Sequence, residues 1–325
     1  MPNSQATCWV VTDGKIGMEN QCLGLAAALG LAPAVKRVKL RFPWSVLAPY
    51  LKGGLDSAFS PEGDPMVPPW PDLLIATGRQ SIPASLLAKR ASGGKTFTVQ
   101  LQDPVISPAN FDLVVVPQHD ALRGPNVSVT RGALHRVTPA VLQTEAEKLA
   151  PLFSTFKPPR IAVLIGGTNA VYKLTSKEMI PLAAQLAQLA KTTGGSLLVT
   201  PSRRTGDDNV AILKEALRDV PSYIWDGQGP NPYFALLAHA DFIMPTCDSV
   251  NMVTEACSTG KPVYVIDLPG GSDKFRRFHA MMQKDGYTRA FKGELVAYSY
   301  PPLDDMGTVV GLIREGLRRQ DRRST

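Results

Sequence analysis

The residue types that do chemistry are densest in Pro245-Thr246-Cys247-Asp248-Ser249-Val250-Asn251-Met252-Val253-Thr254-Glu255. An apolar run ends at Pro245. Asp248 or Ser249 can cap a helix, and Gly260 with Pro262 can stop it. Asp248, Met252 and Glu255 then share one helical face. The cap and Glu255 lie about 10 Å apart at 1.5 Å per residue. That span suits a diphosphate at the helix N-terminus, around Ser249 and Val250, with ribose hydroxyls on the Glu255 carboxylate. A capped core helix with a solvated glutamate is the plainer reading of the same residues.

Three further loops carry polar groups just after apolar runs. Gly166-Gly167-Thr168-Asn169 offers open backbone beside two polar side chains. Ser202-Arg203-Arg204-Thr205 pairs fork-shaped guanidinium donors with hydroxyls, which suits phosphate. Asp13-Gly14-Lys15-Ile16-Gly17 sets a lysine between two glycines at a strand-to-helix turn, with Asn20 and Gln21 in the next helical turns. Such a turn points N–H groups at an anion. The familiar nucleotide loops are absent. Gly93-Gly94-Lys95-Thr96 lacks the earlier glycine of a P-loop, because Lys89 stands there, and Asp13–Met18 is not GxGxxG.

These loops need elements to hold them. Periodicity predicts strands at 7–12, 35–42, 73–77, 96–101 and 113–117, with helices at 18–29 and 82–91 between them. A helix at 139–156 ends at Lys157-Pro158-Pro159-Arg160, which reads as a linker. The alternation restarts with strands at 160–165, 196–200, 223–225, 242–245 and 263–267. The accompanying helices are at 176–193, 208–217, 232–239, 250–259, 275–284 and 306–319. Strands alternating with helices mean parallel α/β sheets. The expected architecture is two Rossmann-like domains, 1–156 and 157–302, facing a cleft, with 303–325 as a C-terminal helix packing back on the first. Ligands in such sheets sit at the carboxyl ends of strands.

The chain has 325 residues, 44% hydrophobic and 19% charged, which describes a globular protein with a sizeable core. The net charge of +7 is spread evenly: residues 1–155 hold 14 basic and 11 acidic groups, and residues 156–325 hold 21 and 17. No basic tail or half marks a nucleic-acid binder. The longest apolar runs are far short of the roughly 20 residues of a membrane span. Residues 1–8 carry no secretory pattern, and four cysteines without CxxC spacing read as reduced core residues of a cytosolic protein. Basic groups from Lys36 to Arg41 interleave with apolar ones, and Phe42, Trp44, Val46, Leu47 and Tyr50 follow. This pattern could meet an anionic membrane, or form a strand and a short packed helix.

The text Ser249-x-x-Met252-x-x-Glu255-Ala256-x-x-x-Gly260-x-Pro262-Val263 resembles the donor-binding signature of GT-B glycosyltransferases, a group that includes the peptidoglycan precursor transferase. More closely, the chain resembles the mitochondrial fission "elongated mitochondria" family and its bacterial relatives, from about Cys8 to Arg314. The residues that carry this are Thr12–Gln21, Ala76-Thr77-Gly78-Arg79-Gln80, Gln102-Asp103-Pro104, Gly132–Arg136, Gly166-Gly167-Thr168 and Asp248-Ser249-Val250. The resemblance implies a GT-B-like protein of the bacterial branch. Its members are regarded as glycosyltransferases, and its plant branch is associated with recruiting a dynamin-related protein to mitochondria.

On that resemblance the donor, a nucleoside-diphosphate sugar, is expected on Gly166, Gly167, Thr168, Asn169, Ser202, Arg203, Arg204, Thr205, Asp248, Ser249, Val250, Met252 and Glu255. The acceptor, a lipid-linked or cell-envelope glycan, is expected on Asp13, Gly14, Lys15, Gly17, Gln21, Gly78, Arg79 and Gln80. The histidine ending the first loop of the peptidoglycan enzyme is replaced by Gly17-Met18-Glu19, so its base does not carry over. Asp103, His119 and Glu19 are the candidate bases, with Asp13 a competitor. His239 is read as structural and His279 as peripheral. No metal or other cofactor is expected, and the location is cytoplasmic, peripheral on the inner membrane face. The alternatives are a non-catalytic adaptor of the fission type and a sugar-nucleotide 2-epimerase.

Overall fold

The computed structural model describes residues 6–324. The chain divides into two compact units, Met1–Arg136 with Asp304–Thr325, and Val137–Leu303.

The first unit is built on six parallel strands: β1 (Cys8–Thr12), β2 (Ala34–Arg37), β3 (Leu73–Thr77), β4 (Phe97–Leu101), β5 (Leu113–Pro117) and β6 (Val127–Thr130). Their order is β2-β1-β3-β4-β5-β6. Helices α1 (Ile16–Ala28), α2 (Trp44–Leu47) and α3 (Ile82–Ala91) lie in the connections. β3 and β4 are buried along their whole length; β3 reads as an apolar run from Leu73 to Ala76, while β4 buries Thr98 and Gln100 between its apolar residues. β6 was not anticipated. It is a four-residue edge strand with alternating exposure, too short to stand out from the Gly-Pro-Asn turn before it. β2 is shorter than expected, because past Arg37 only Leu40 makes a bridge, to Phe59.

The second unit has α4 (Pro139–Phe153), β7 (Arg160–Ile165), α5 (Ser176–Thr193), β8 (Ser196–Pro201), α6 (Asp207–Ala216), β9 (Ser222–Ile224), α7 (Tyr233–His239), β10 (Phe242–Pro245), α8 (Val250–Cys257), β11 (Val263–Val265), α9 (Asp273–Lys284) and β12 (Thr288–Ala290). Its strands are parallel in the order β12-β11-β10-β7-β8-β9. β7 therefore neighbours both β8 and β10, and the direction of winding reverses there.

The boundary between units falls earlier than the expected 156/157. α4 packs in the second unit: Phe153 is fully buried, meets Tyr223 edge-on at 5.4 Å and His239 at 5.2 Å, and the His239 Nε2 lies 3.0 Å from the Ala146 carbonyl. Lys157–Arg160 thus ends a helix inside one unit and links no domains. The final helix, α10 (Met306–Ser324), belongs to the first unit, as expected of a C-terminal helix packing back. Val309 and Ile313 are fully buried in the cluster with Cys22, Leu25 and Phe97, and Asp305 accepts a hydrogen bond from the Arg131 N–H at 2.7 Å.

Among the described residues no helix is long and apolar enough to cross a membrane.

Candidate functional site

In each unit the strand order reverses beside the first strand, and an open parallel sheet leaves its crevice at that reversal. In the second unit the reversal lies between β7 and β10. The loops after β7, β8 and β10 meet there.

Their meeting point is the Asp248 carboxylate, which is fully buried. One oxygen accepts from the Thr246 hydroxyl at 2.6 Å. The other accepts from the Gly167 N–H at 3.1 Å and pairs with the Arg204 guanidinium at 2.7 Å. Thr246 in turn accepts from the Gly166 N–H at 2.8 Å. Ser202 and Thr205 both donate to the Gly166 carbonyl, at 2.6 and 2.7 Å. Asn169 donates from its side chain to the Asp248 carbonyl at 3.3 Å and receives the Val171 and Tyr172 N–H groups at 2.9 Å each. A Cβ on Gly166 would lie 2.3 Å from both Asp248 oxygens. One on Gly167, whose φ is +143°, would lie 2.1 Å from the Arg204 carbonyl. The glycine pair therefore makes room for the protein's own carboxylate and backbone, which the sequence could not distinguish from room for a ligand.

Ser249, not Asp248, caps α8: its hydroxyl accepts from the Met252 N–H at 3.3 Å. Val250 begins the helix, and Asp248 stands outside it. Thr168 is exposed, with its hydroxyl tied to Leu174, while Arg203 is exposed and makes no hydrogen bond or ion pair with the described residues. Glu255 lies further along α8, 8% exposed, and accepts from the Tyr233 hydroxyl at 2.6 Å. Burial and the Glu255 charge push the Tyr233 phenol well up, so it stays a donor.

Sequence reasoning gave Thr246 no role of its own and missed Tyr233 and the loop Pro269-Gly270-Gly271-Ser272. That loop follows β11 and precedes α9, and it pairs with the β7 loop through Gly271 N–H to the Val171 carbonyl at 2.7 Å. A strand, two glycines and a helix was the signal available for it. His279, expected to be peripheral, reaches the loop after β10, with its Nε2 2.8 Å from the Cys247 carbonyl.

In the first unit the reversal lies between β1 and β3. A pocket of about 390 Å³ opens there, lined by Asp13, Lys15, Gly78, Arg79, Gln80 and Asp103, with Met18, Ser45, Val46 and Gln102 completing it. Four separate sequence segments, 13–18, 45–46, 78–80 and 102–103, are thus brought together. Asp13 pairs with Lys15 at 2.5 Å, the Arg79 guanidinium donates to the Ala48 carbonyl, and Gln80 donates to the Ser45 carbonyl. Asp103 is exposed and accepts from the Val105 N–H at 2.8 Å. Gln102 and Val105, flanking it, have φ of +70° and +65°, the two non-glycine residues with positive φ among the described residues. Left-handed backbone at a β-branched residue stores strain, and such strain concentrates at functional loops.

Two of the three candidate bases are placed unfavourably. Glu19 does not line the pocket. Arg37 grips it with two bonds of 2.9 and 2.8 Å, and that hydrogen bonding pulls its pKa below the usual carboxylate value. His119 is 5% exposed and also lies outside the pocket lining. Gln21 is buried on α1, and Gly17 is exposed in its first turn. Gly14 precedes α1, with its N–H on the Thr12 hydroxyl at 3.1 Å.

The basic stretch is largely engaged. Lys36 lies over the Trp9 ring at 5.0 Å, Arg37 holds Glu19, and Lys39 pairs with Glu62. The apolar residues after it are open: Phe42 is 80% exposed, Val46 66%, Tyr50 63% and Leu47 47%. Among the described residues no group of three or more His, Cys, Asp or Glu side chains could hold a metal ion.

The sequence model for the family described as Mitochondrial fission ELM1 matches residues 16–317. The chain belongs to the mitochondrial fission ELM1 family. It is 32% identical over 274 residues to the mitochondrial fission protein ELM1 of Arabidopsis thaliana, a match covering 76% of this chain and 64% of the plant protein. The chain thus spans under two thirds of that relative's length. An uncharacterised protein of Rickettsia prowazekii is 24% identical, with 95% of this chain and 98% of the relative covered.

The fold of this ELM1-family chain is that of GT-B enzymes. The UDP-GlcNAc 2-epimerase of Methanocaldococcus jannaschii superposes with a TM-score of 0.57 at 11% identity, over 95% of this chain and 99% of its own. MurG of Acinetobacter baumannii gives 0.50 at 15%, over 98% and 95%. The epimerase of Neisseria meningitidis bound to UDP-GlcNAc gives 0.50 at 15%, over 96% and 100%.

Proposed function

We propose that this ELM1-family protein binds a nucleoside-diphosphate sugar in its second unit and transfers the sugar to an acceptor hydroxyl held in its first. The observation that carries the reading is the convergence, at the β7/β10 reversal, of the Gly166–Asn169 and Ser202–Thr205 loops with the Ser249-capped α8. The exposed Arg203 guanidinium suits a diphosphate, and Glu255, further along the helix, suits ribose hydroxyls. Fold neighbours that act on UDP-GlcNAc support the nucleotide-sugar class. The carboxylate suited to take the acceptor proton is Asp103, which lines the pocket and pairs with no cation among the described residues. No metal is assigned to this reaction. Helix dipoles and guanidinium groups would offset the leaving diphosphate.

The acceptor side is proposed to work at an anionic membrane, with a lipid-linked acceptor. Val46 belongs both to the exposed apolar group around α2 and to the pocket wall, and Arg41 and Lys52 flank that group.

An adaptor without catalysis is the second reading. Asp248 favours it, because its carboxylate already holds the Gly167 N–H and Arg204, groups that a diphosphate would take. Thermal-shift titration with the four ribonucleoside diphosphates and UDP-GlcNAc tests the choice. A ligand at 100 times its dissociation constant adds about 2.7 kcal/mol. Stabilisation by one base supports the donor site, and none by any of them favours the adaptor. Conversion of UDP-GlcNAc without an acceptor would indicate an epimerase.

A further inference from the structure

Glu255 is almost wholly buried, so the direction its carboxylate faces decides what a ligand can reach. A buried carboxylate needs donors, and one donor here comes from another element. The Tyr233 hydroxyl, at the first residue of α7, lies 2.6 Å from Oε2, a short charge-assisted bond. Tyr233 is itself fixed. Its N–H donates to the Asn231 side chain at 3.0 Å, and its ring meets Phe234 edge-on at 5.5 Å. The terminal torsion of a glutamate is broad, so nothing intrinsic to Glu255 holds its oxygens in place.

We propose that Tyr233 is a positioning residue: its hydroxyl fixes the Glu255 carboxylate for the ribose hydroxyls, and so makes the site select ribonucleotides over 2′-deoxyribonucleotides. The inference rests on the donor-site reading above. Glu255 is the group that touches ligand, and Tyr233 acts through it. A carboxylate without the Tyr233 bond would hold two vicinal hydroxyls less well, whereas contacts to base and diphosphate would be unaffected.

The test is calorimetry on the full chain with the best-binding of the four nucleoside diphosphates and its 2′-deoxy counterpart. It compares wild type, Tyr233→Phe, Glu255→Gln and the double variant. Wild type should prefer the ribonucleotide by about tenfold or more, in line with loss of one hydrogen bond to a charged group. Tyr233→Phe keeps every ring carbon and should cut that preference to about twofold. In the Glu255→Gln background it should change affinity by less than about twofold, as expected of residues acting as one unit. If Glu255→Gln abolishes the preference and Tyr233→Phe leaves it intact, Tyr233 is only packing and the inference falls. If Glu255→Gln has no effect, or no nucleoside diphosphate binds wild type, the donor-site reading itself fails. A wild type without ribose preference overturns the inference whether or not the variants fold.

Discussion

Arg204 and Asp248 form an ion pair at 2.7 Å in which the carboxylate is fully buried and the guanidinium is 40% exposed. The pair joins the loop after β8 to the loop after β10, and through Gly167 to the loop after β7. One carboxylate therefore sets the shape of three strand-end loops. Arg204 is first a counter-ion, whereas the exposed Arg203 beside it makes no ion pair among the described residues.

Removing Arg204 should destabilise the second unit. Breaking a buried pair costs about 3–5 kcal/mol, and the exposure of Arg204 lets water offset part of it, so about 2–3 kcal/mol is expected for Arg204→Ala. At roughly 2–4 °C per kcal/mol the melting temperature should fall by roughly 5–10 °C. Arg203→Ala should leave it nearly unchanged. Scanning calorimetry of both variants decides this, and equal melting temperatures would show that Asp248 does not need Arg204.

Binding should divide the two arginines the other way. Arg203→Ala should weaken nucleoside-diphosphate binding by about tenfold, with nucleoside binding hardly altered, because only the diphosphate carries the charge it meets. Arg203→Lys keeps the charge but loses the fork and should be intermediate. Titration with nucleoside, monophosphate and diphosphate reads the difference. Equal losses for all three ligands would remove Arg203 from the phosphate site.

Much of this was legible in the sequence, for physical reasons. Strands buried on both faces, such as Leu73–Thr77 and Arg160–Ile165, announce themselves as continuous apolar runs. Edge strands such as Val127–Thr130 and Thr288–Ala290 are short and partly exposed, and they did not. The loops Asp13–Lys15, Gly78–Gln80 and Asp103 could be picked out because each follows a strand, and the structure gathers them in one pocket. What each side chain holds was not legible. Asp248 and Arg204 lie 44 positions apart, Glu19 and Arg37 18, and no local pattern reports such pairs. His119 shows the same limit: a histidine just after a strand reads as a base until its burial is known.

Attachment to a membrane should depend on the apolar residues more than on the basic stretch, since Lys36, Arg37 and Lys39 already have partners. Phe42→Ser with Leu47→Ser should abolish sedimentation with vesicles containing phosphatidylserine. Lys36→Gln with Lys39→Gln should weaken it only modestly, because a free basic group near such a surface is worth about 1 kcal/mol and both lysines are engaged. Wild-type protein that stays in the supernatant at low salt would end the membrane proposal.

Alkaline stability should report Lys261. Its ammonium group donates to the Leu237 and Ala238 carbonyls at 2.8 and 2.5 Å, and burial brings its pKa down to about 8. The unfolded lysine titrates near 10.4. Between these values the unfolded chain binds the extra proton, so this group's contribution rises with pH over that window, while below pH 8 the full cost of the buried charge remains. Lys261→Met removes this slope. The stability difference, wild type minus variant, should grow by about 1–3 kcal/mol from pH 8 to 10.5 in denaturant titrations. A flat difference would show that the buried charge carries no penalty.

Asp103 should carry the acid–base step and Glu19 should not. A general base must reach the proton and be basic enough to take it. Asp103 meets the first condition through its place in the pocket. Glu19 fails both, being outside the lining and held ionised by Arg37, whose two hydrogen bonds lower its proton affinity. Once the donor and acceptor are identified, Asp103→Asn should lower the transfer rate by about 10²–10⁴-fold with donor affinity unchanged, the usual span for loss of a positioned base. Glu19→Gln should keep most of the rate and cost little stability, because the Arg37 it releases is exposed. His119→Gln perturbs a buried side chain, so lower stability with normal turnover per folded molecule is expected. Single-turnover rates at saturating donor separate these effects from binding. A dead Glu19→Gln beside an active Asp103→Asn would move the base to α1 and make the pocket a binding surface only.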